Sequence, residues 1–171
     1  MLEIIPEAVK ALIGKPLHHE DSEIVVESGY IYNTCAAVQN GNPLFWDEAV
    51  SNSISGGKIA PPTMLSTWFR PHHWRPGSEE ECTPLQAHFD LKRWLQLPEA
   101  IISDNELRFG EPVRLGDRLH SYQVIRSISD IKQTKLGRGR FWVIDVVYEN
   151  QDGEYVGTDS YTALGYVRNE G

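Results

Sequence analysis

Few side chains in this sequence have the type and setting for acid–base chemistry. Asp47 and Glu48 are adjacent carboxylates that could take or give a proton. They also fall in the first turn of an expected helix, where the positive end of the helix dipole accounts for them without chemistry. His72 and His73 precede Trp74 in a polar, proline-containing stretch. They could act as bases, but we read them as ordinary loop histidines. His120 follows a Gly-Asp turn and reads as a strand residue, with Asp117 organising the turn. Cys35 and Cys82 give no metal-ligand spacing, and a chain of this size needs no disulfide, so both are expected as reduced thiols.

The elements that must position such groups change character along the chain. Its 171 residues fit one domain, 1–171, with a proper core. A net charge of −8 argues against a nucleic-acid binder, which would carry a clustered basic face. The N-terminal residues do not form a signal peptide, and no apolar run approaches the roughly 20 residues of a membrane span. A cytoplasmic protein is expected.

Pro6 to Ile13 reads as a short helix ending at Gly14, Ile24 to Val26 as a strand, and Ile31 to Val38 as a helix. Asn40-Gly41-Asn42-Pro43 is a turn, and Trp46 to Val50 opens another helix. Pro61-Pro62 starts an apolar helical segment to Phe69, and Thr83-Pro84 caps a helix reaching about Leu95. From Glu106 onward three long antiparallel strands are expected, Leu119 to Ile128, Arg140 to Glu149 and Glu154 to Val167. Gln151-Asp152-Gly153 is the turn between the last two. Helices first and strands last in one domain make this an α+β chain.

Three segments, in order, resemble the MaoC-like dehydratase family, particularly its members similar to fatty-acid-synthase dehydratase domains. They are Asn42-Pro43-Leu44-Phe45-Trp46-Asp47-Glu48-Ala49, Gly57-Lys58-Ile59-Ala60-Pro61-Pro62-Thr63-Met64-Leu65, and Phe109-Gly110-Glu111-Pro112-Val113-Arg114-Leu115-Gly116-Asp117-Arg118-Leu119. The stretch Lys135 to Trp142, with Asn150 to Glu154, resembles hydratase subunits of steroid side-chain degradation. The resemblance implies a single hot-dog fold, a long antiparallel sheet wrapped round a central helix. It also implies a second hot-dog chain, in a heterodimer or heterotetramer, or a homodimer. The implied substrate is an acyl-CoA, and no metal or redox cofactor is needed, since hydration moves only water and a proton.

The family's acid–base pattern is Asp-x-Asn-Pro-x-His, followed by a His-Gly whose neighbouring N–H serves as oxyanion donor. Here Asn40 stands where the Asp belongs, and a carboxamide takes no proton at neutral pH. Phe45 stands where the His belongs. Pro61 and Pro62 replace His-Gly, and proline has no N–H. Losing such groups commonly costs roughly 10²–10⁴-fold each. The expectation is a chain with no catalytic residues of its own, part of an (R)-type 2-enoyl-CoA hydratase. A partner would then supply the Asp and His.

Trp46, Met64, Leu65, Trp68 and Phe69 would line the pocket for a bulky, ring-bearing acyl group. They also suit an ordinary core, the simpler account for Met64 and Leu65. Arg70, Lys135, Arg138 and Arg140 are the basic groups expected near CoA phosphates. Strand ends and a hairpin explain the last three as well. Two other readings stand beside this one. One is a homodimeric acyl-CoA-binding scaffold without activity. The other is a hot-dog thioesterase relying on Asp47 or Glu48.

Overall fold

Glu27 shows how the sequence builds its helices locally. Its carboxylate accepts from the backbone N–H groups of Gly29 (2.9 Å) and Tyr30 (2.8 Å), capping helix α2, Ser28–Ala37. In the computed structural model, which describes residues 3–69, 76–77 and 84–169, α2 follows a single turn, α1 (Glu7–Lys10), and strand β1 (Pro16–Asp21). The expected first helix is therefore shorter. Ile24 to Val26 is not a strand, because the Val26 N–H and C=O bond the Asp117 carbonyl and the Gly116 N–H at a turn. β1 lies just before it and has no sequence signal, since Pro16-Leu17-His18-His19-Glu20-Asp21 is too polar to read as a strand.

Asp47 divides what reads as one helical region into two. Its extended backbone ends α3 (Pro43–Trp46), and its carboxylate caps α4 (Glu48–Ser55). The segment opened by Pro61-Pro62 winds as a 3-10 helix, Pro62–Phe69. Helix α5, Gln86–Trp94, starts after Leu85, which is left-handed (φ 59). Pro84 lies before the helix rather than at its first position, and Thr83 is outside the described residues.

The strands are β1, β2 (Glu99–Phe109), β3 (His120–Ile128), β4 (Lys132–Gln133), β5 (Gly137–Glu149) and β6 (Tyr155–Arg168). They form an antiparallel sheet in the order β1-β3-β5-β6-β2, with β4 paired to β5. The three long expected strands and the Gln151-Asp152-Gly153 turn are present, Gly153 taking the positive φ (76) that the turn requires. β2 is an edge strand, which explains why its charged and apolar residues do not alternate cleanly.

Two apolar clusters fill the space between helices and sheet. One joins Ile31 and Cys35 of α2 to Phe45, Met64, Leu65, Trp68, Tyr148 and Val156. The other joins Ala87, Leu91 and Leu95 to Ile125, Trp142, Ile144 and Ala163. No described helix is long and apolar enough to cross a membrane.

His88 of α5 makes the second cluster sensitive to pH. Its Nδ1 lies 3.3 Å from the Trp142 Nε1–H donor. Burial, and secondarily the Lys92 ammonium, hold its pKa below the ordinary imidazole range. Above about pH 6.5 the ring is neutral in both folded and unfolded chains and costs nothing. As pH falls below that value the unfolded chain takes up the proton first. Stability is then lost until the folded ring's lower pKa is reached. Thermal melts between pH 7.5 and 5 should therefore show a smaller acid loss for His88→Asn than for the wild-type chain. Equal slopes would show that His88 does not titrate this way.

Candidate functional site

Asn40 and Phe45 are placed by a short run of local hydrogen bonds. The Asn40 side-chain oxygen accepts from the Asn42 N–H (3.1 Å), and the Asn42 oxygen accepts from the Leu44 N–H (3.0 Å), setting the start of α3 with Pro43 in its first turn. The Asn40 carbonyl accepts from the Trp46 indole N–H at 2.7 Å. Asn40 is thus a turn former. Phe45 points the other way, buried among Met64, Leu65 and Trp68. A phenyl ring plugs the position, and plugging is apolar packing without a titratable group.

Pro61 is buried, and its carbonyl accepts from the Met64 N–H (2.9 Å). Pro62 is exposed at the start of the 3-10 helix. Met64, Leu65 and Trp68 are almost wholly buried. Phe69 is half-buried and packs on Tyr148 with ring centres 5.2 Å apart. Leu65 presses on the sheet where Gly157 makes room, since a Cβ there would lie 2.5 Å from Leu65 Cδ1. The Trp68 Nε1–H is buried with no hydrogen-bond partner among the described residues, although the ring meets Tyr30 edge-on at 6.1 Å.

Trp46 does not join that buried set. It is 43% exposed and stacks on Tyr32 of α2 at 5.2 Å with the rings 13° from parallel. Its indole N–H bond to Asn40 turns the ring outward, so the expectation of one aromatic wall is corrected at this residue.

The described basic residues have structural partners. Arg140 is buried, donating to the Ser129 carbonyl (2.8 Å) and the Glu3 carbonyl (2.6 Å). Arg138 holds the Glu3 carboxylate at 2.7 and 3.0 Å. Both tie the N-terminal segment to the sheet. Along β5, Arg140 and Tyr148 are separated by about 26 Å at the usual strand rise. Lys135 sits exposed at the turn before β5, and its carbonyl accepts from Asn169. Arg70, His72 and His73 lie outside the described residues.

The remaining candidates have structural work. Asp47 Oδ1 accepts from the N–H groups of Ala49 (2.8 Å) and Val50 (3.1 Å). Asp117 accepts from the Arg114 N–H (2.6 Å) and the Gln151 amide (3.2 Å). His120 lies between Asp21 (2.7 Å) and His19 (3.0 Å), on strands β3 and β1. Burial pushes the Cys35 thiol pKa up, so it is no ready nucleophile. Cys82 is outside the described residues.

One polar group was not read from the sequence. Asp159 is buried on β6, its two oxygens accepting from Asn105 Nδ2 and Tyr161 Oη, each at 2.5 Å. Register places Asp159 opposite Val146 and Leu107, on the face that also carries Gly157. It is about 7 Å along the strand from the point where Leu65 meets the sheet. Its signal is the one charge in the interior of a strand rich in β-branched and aromatic residues. What it faces depends on register across β2, β5 and β6.

On the same face and beyond Asp159, Ile102, Leu107 and Phe109 of β2 are 41, 37 and 50% exposed. They form an apolar margin along an edge strand.

The profile of the family described as "FAS1-like, dehydratase domain region" matches residues 11–159. A curated relative, "Probable enoyl-CoA hydratase alpha subunit" of Thermomonospora curvata, is 26% identical over 156 residues, covering 90% of this chain and 48% of that protein. The chain thus spans about half the length of that relative. Among solved structures, a chain of the ChsH1-ChsH2 complex from Mycobacterium tuberculosis superposes with a TM-score of 0.76 at 22% identity, over 96% of this chain and 92% of that one. The R-hydratase PhaJ1 from Pseudomonas aeruginosa gives a TM-score of 0.54 at 16% identity, over 93% and 88%. With its helices packed on one long antiparallel sheet, the chain has the hot-dog fold of the MaoC-like dehydratases and belongs to the FAS1-like dehydratase domain family.

Proposed function

We propose that this chain is the pocket-forming subunit of an (R)-type 2-enoyl-CoA hydratase, with the acid–base residues supplied by a second hot-dog chain. The observation that carries this reading is Phe45. It is packed into the core at the position where the family pattern places its histidine. Asn40 is committed to a turn, and Pro61 and Pro62 have no N–H to offer.

Hydration adds the elements of water across C2=C3, hydroxide to C3 and a proton to C2. A base must activate the water, an acid must protonate C2, and a donor must hold the thioester oxygen as negative charge develops there. In this reading the partner provides the acid and base, and this chain provides the apolar wall around Leu65, Trp68 and Phe69. In this reading a bulky acyl group, such as a steroid ring system, packs against that wall. The alpha-subunit name of the Thermomonospora relative and the two-chain composition of the ChsH1-ChsH2 complex support a divided enzyme. The apolar margin of β2 gives the partner a docking edge.

The test is hydration of 2-enoyl-CoA substrates by the chain alone and with a hot-dog partner carrying Asp-x-Asn-Pro-x-His. The complex should hydrate, and the chain alone should fall at least about 10²-fold short. Robust turnover by the chain alone would sink the division of labour. Release of free CoA under the same conditions would favour a thioesterase instead.

A further inference from the structure

A cleft of about 420 Å³ runs along α4, away from the buried aromatic wall. Glu48 and Asn52 lie four residues apart on one side of the helix and line the cleft together with Gly56, Lys58 and Arg114. Two cations therefore meet in one concavity of a chain whose net charge is −8. Both are held in place. The Lys58 ammonium contacts the Tyr32 hydroxyl and lies 4.6 Å from the centre of its ring. Arg114 Nη1 donates to the Ser55 carbonyl at the end of α4 (2.7 Å), one of the five N–H donors of a guanidinium.

An aromatic platform continues from Lys58. Tyr32, under the Lys58 ammonium, stacks on Trp46, whose indole N–H is fixed to the Asn40 carbonyl. The indole is 43% exposed, which is unusual for a tryptophan locked in position. Paired cations beside a fixed, exposed aromatic ring are the chemistry of a phosphate-bearing purine nucleotide: charge for the phosphates and stacking for the base.

We propose that this cleft binds the nucleotide end of coenzyme A, its phosphates on Lys58 and Arg114 and its adenine on Trp46. The inference rests on the acyl-CoA reading above and places its cationic site away from Arg138 and Arg140. Lys58 stands three residues before Pro61 on an extended segment bridged at Ile59 to Arg114, about 10 Å of chain. Glu48 is the opposing charge, since its carboxylate lines the same cleft and repels a phosphate.

The test is titration of the intact chain with CoA, dephospho-CoA, ADP and pantetheine, followed by calorimetry and tryptophan fluorescence. CoA should bind, and Lys58→Met with Arg114→Gln should weaken it about tenfold or more. Trp46→Leu should weaken CoA and ADP together and remove the fluorescence change. Glu48→Gln should tighten CoA a few-fold. Pantetheine, having no phosphate, should respond to none of them. Dephospho-CoA separates contact with the 3′-phosphate from contact with the diphosphate, because only the former is lost with it. CoA affinity unchanged in the Lys58/Arg114 double variant, or no CoA binding to the chain alone or with its partner, would overturn the inference. A complex that fails to hydrate, with CoA binding still dependent on Lys58 and Arg114, would sink the hydratase reading and leave this one standing.

Discussion

Trp142→Ala should cost about 3–5 kcal/mol, the usual loss for a large aromatic removed from a core. Against a typical total of about 5–15 kcal/mol, that leaves little folded protein at moderate urea. Trp142 is fully buried on β5, at the centre of the cluster that joins α5 to the sheet. Its ring lies over Gly165 of β6, where a Cβ would land on the ring carbons Cη2 and Cζ3. The site is therefore specified from both sides, by a large residue and by the absence of a side chain facing it.

Gly165→Ala should cost about 1–3 kcal/mol by overpacking. Replacing Trp142 by Phe in the Gly165→Ala background should recover part of that loss, because the smaller ring vacates the contested space. Urea denaturation of the two single variants and the double variant measures the coupling. Strict additivity would show that the two positions do not share the space attributed to them.

A second large effect is expected at the edge of the sheet. Leu107→Asp together with Phe109→Asp should abolish assembly with the hot-dog partner, a loss of about 100-fold or more in affinity, while the melting temperature changes little. Both side chains are substantially exposed and sit on the face that Asp159 shares. Exposed substitutions ordinarily stay within about 0.5 kcal/mol of neutral, so the fold should survive. Desolvating two carboxylates without partners would oppose docking strongly. Light scattering of the mixed chains reads the assembly directly. A double variant that still forms the complex would remove β2 from the interface. Under the proposed division of labour, the same double variant should also lose hydration in the mixed assay.

What the sequence determined by itself was local and motif-borne. Asn40 to Pro43 marks a turn and Gln151-Asp152-Gly153 a hairpin, because each depends on a few adjacent residues and their backbone preferences. That Asn40 and Phe45 carry no titratable group, and Pro61 and Pro62 no N–H, was equally legible, since it follows from residue type alone.

Register and burial were decided only in three dimensions. Nothing near Arg140 in sequence reveals that the Glu3 and Ser129 carbonyls will bury its guanidinium, or that Glu3 will take Arg138. Trp46 reads as another member of the apolar set until its bond to Asn40 turns it onto Tyr32. Asp159 meets Asn105 across 54 residues of sequence, and Lys58 meets Tyr32 across 26, so neither pairing has a local signal. A sheet brings distant side chains onto one face by register, and that register is fixed by the packing of whole strands and helices rather than by any residue's neighbours in sequence.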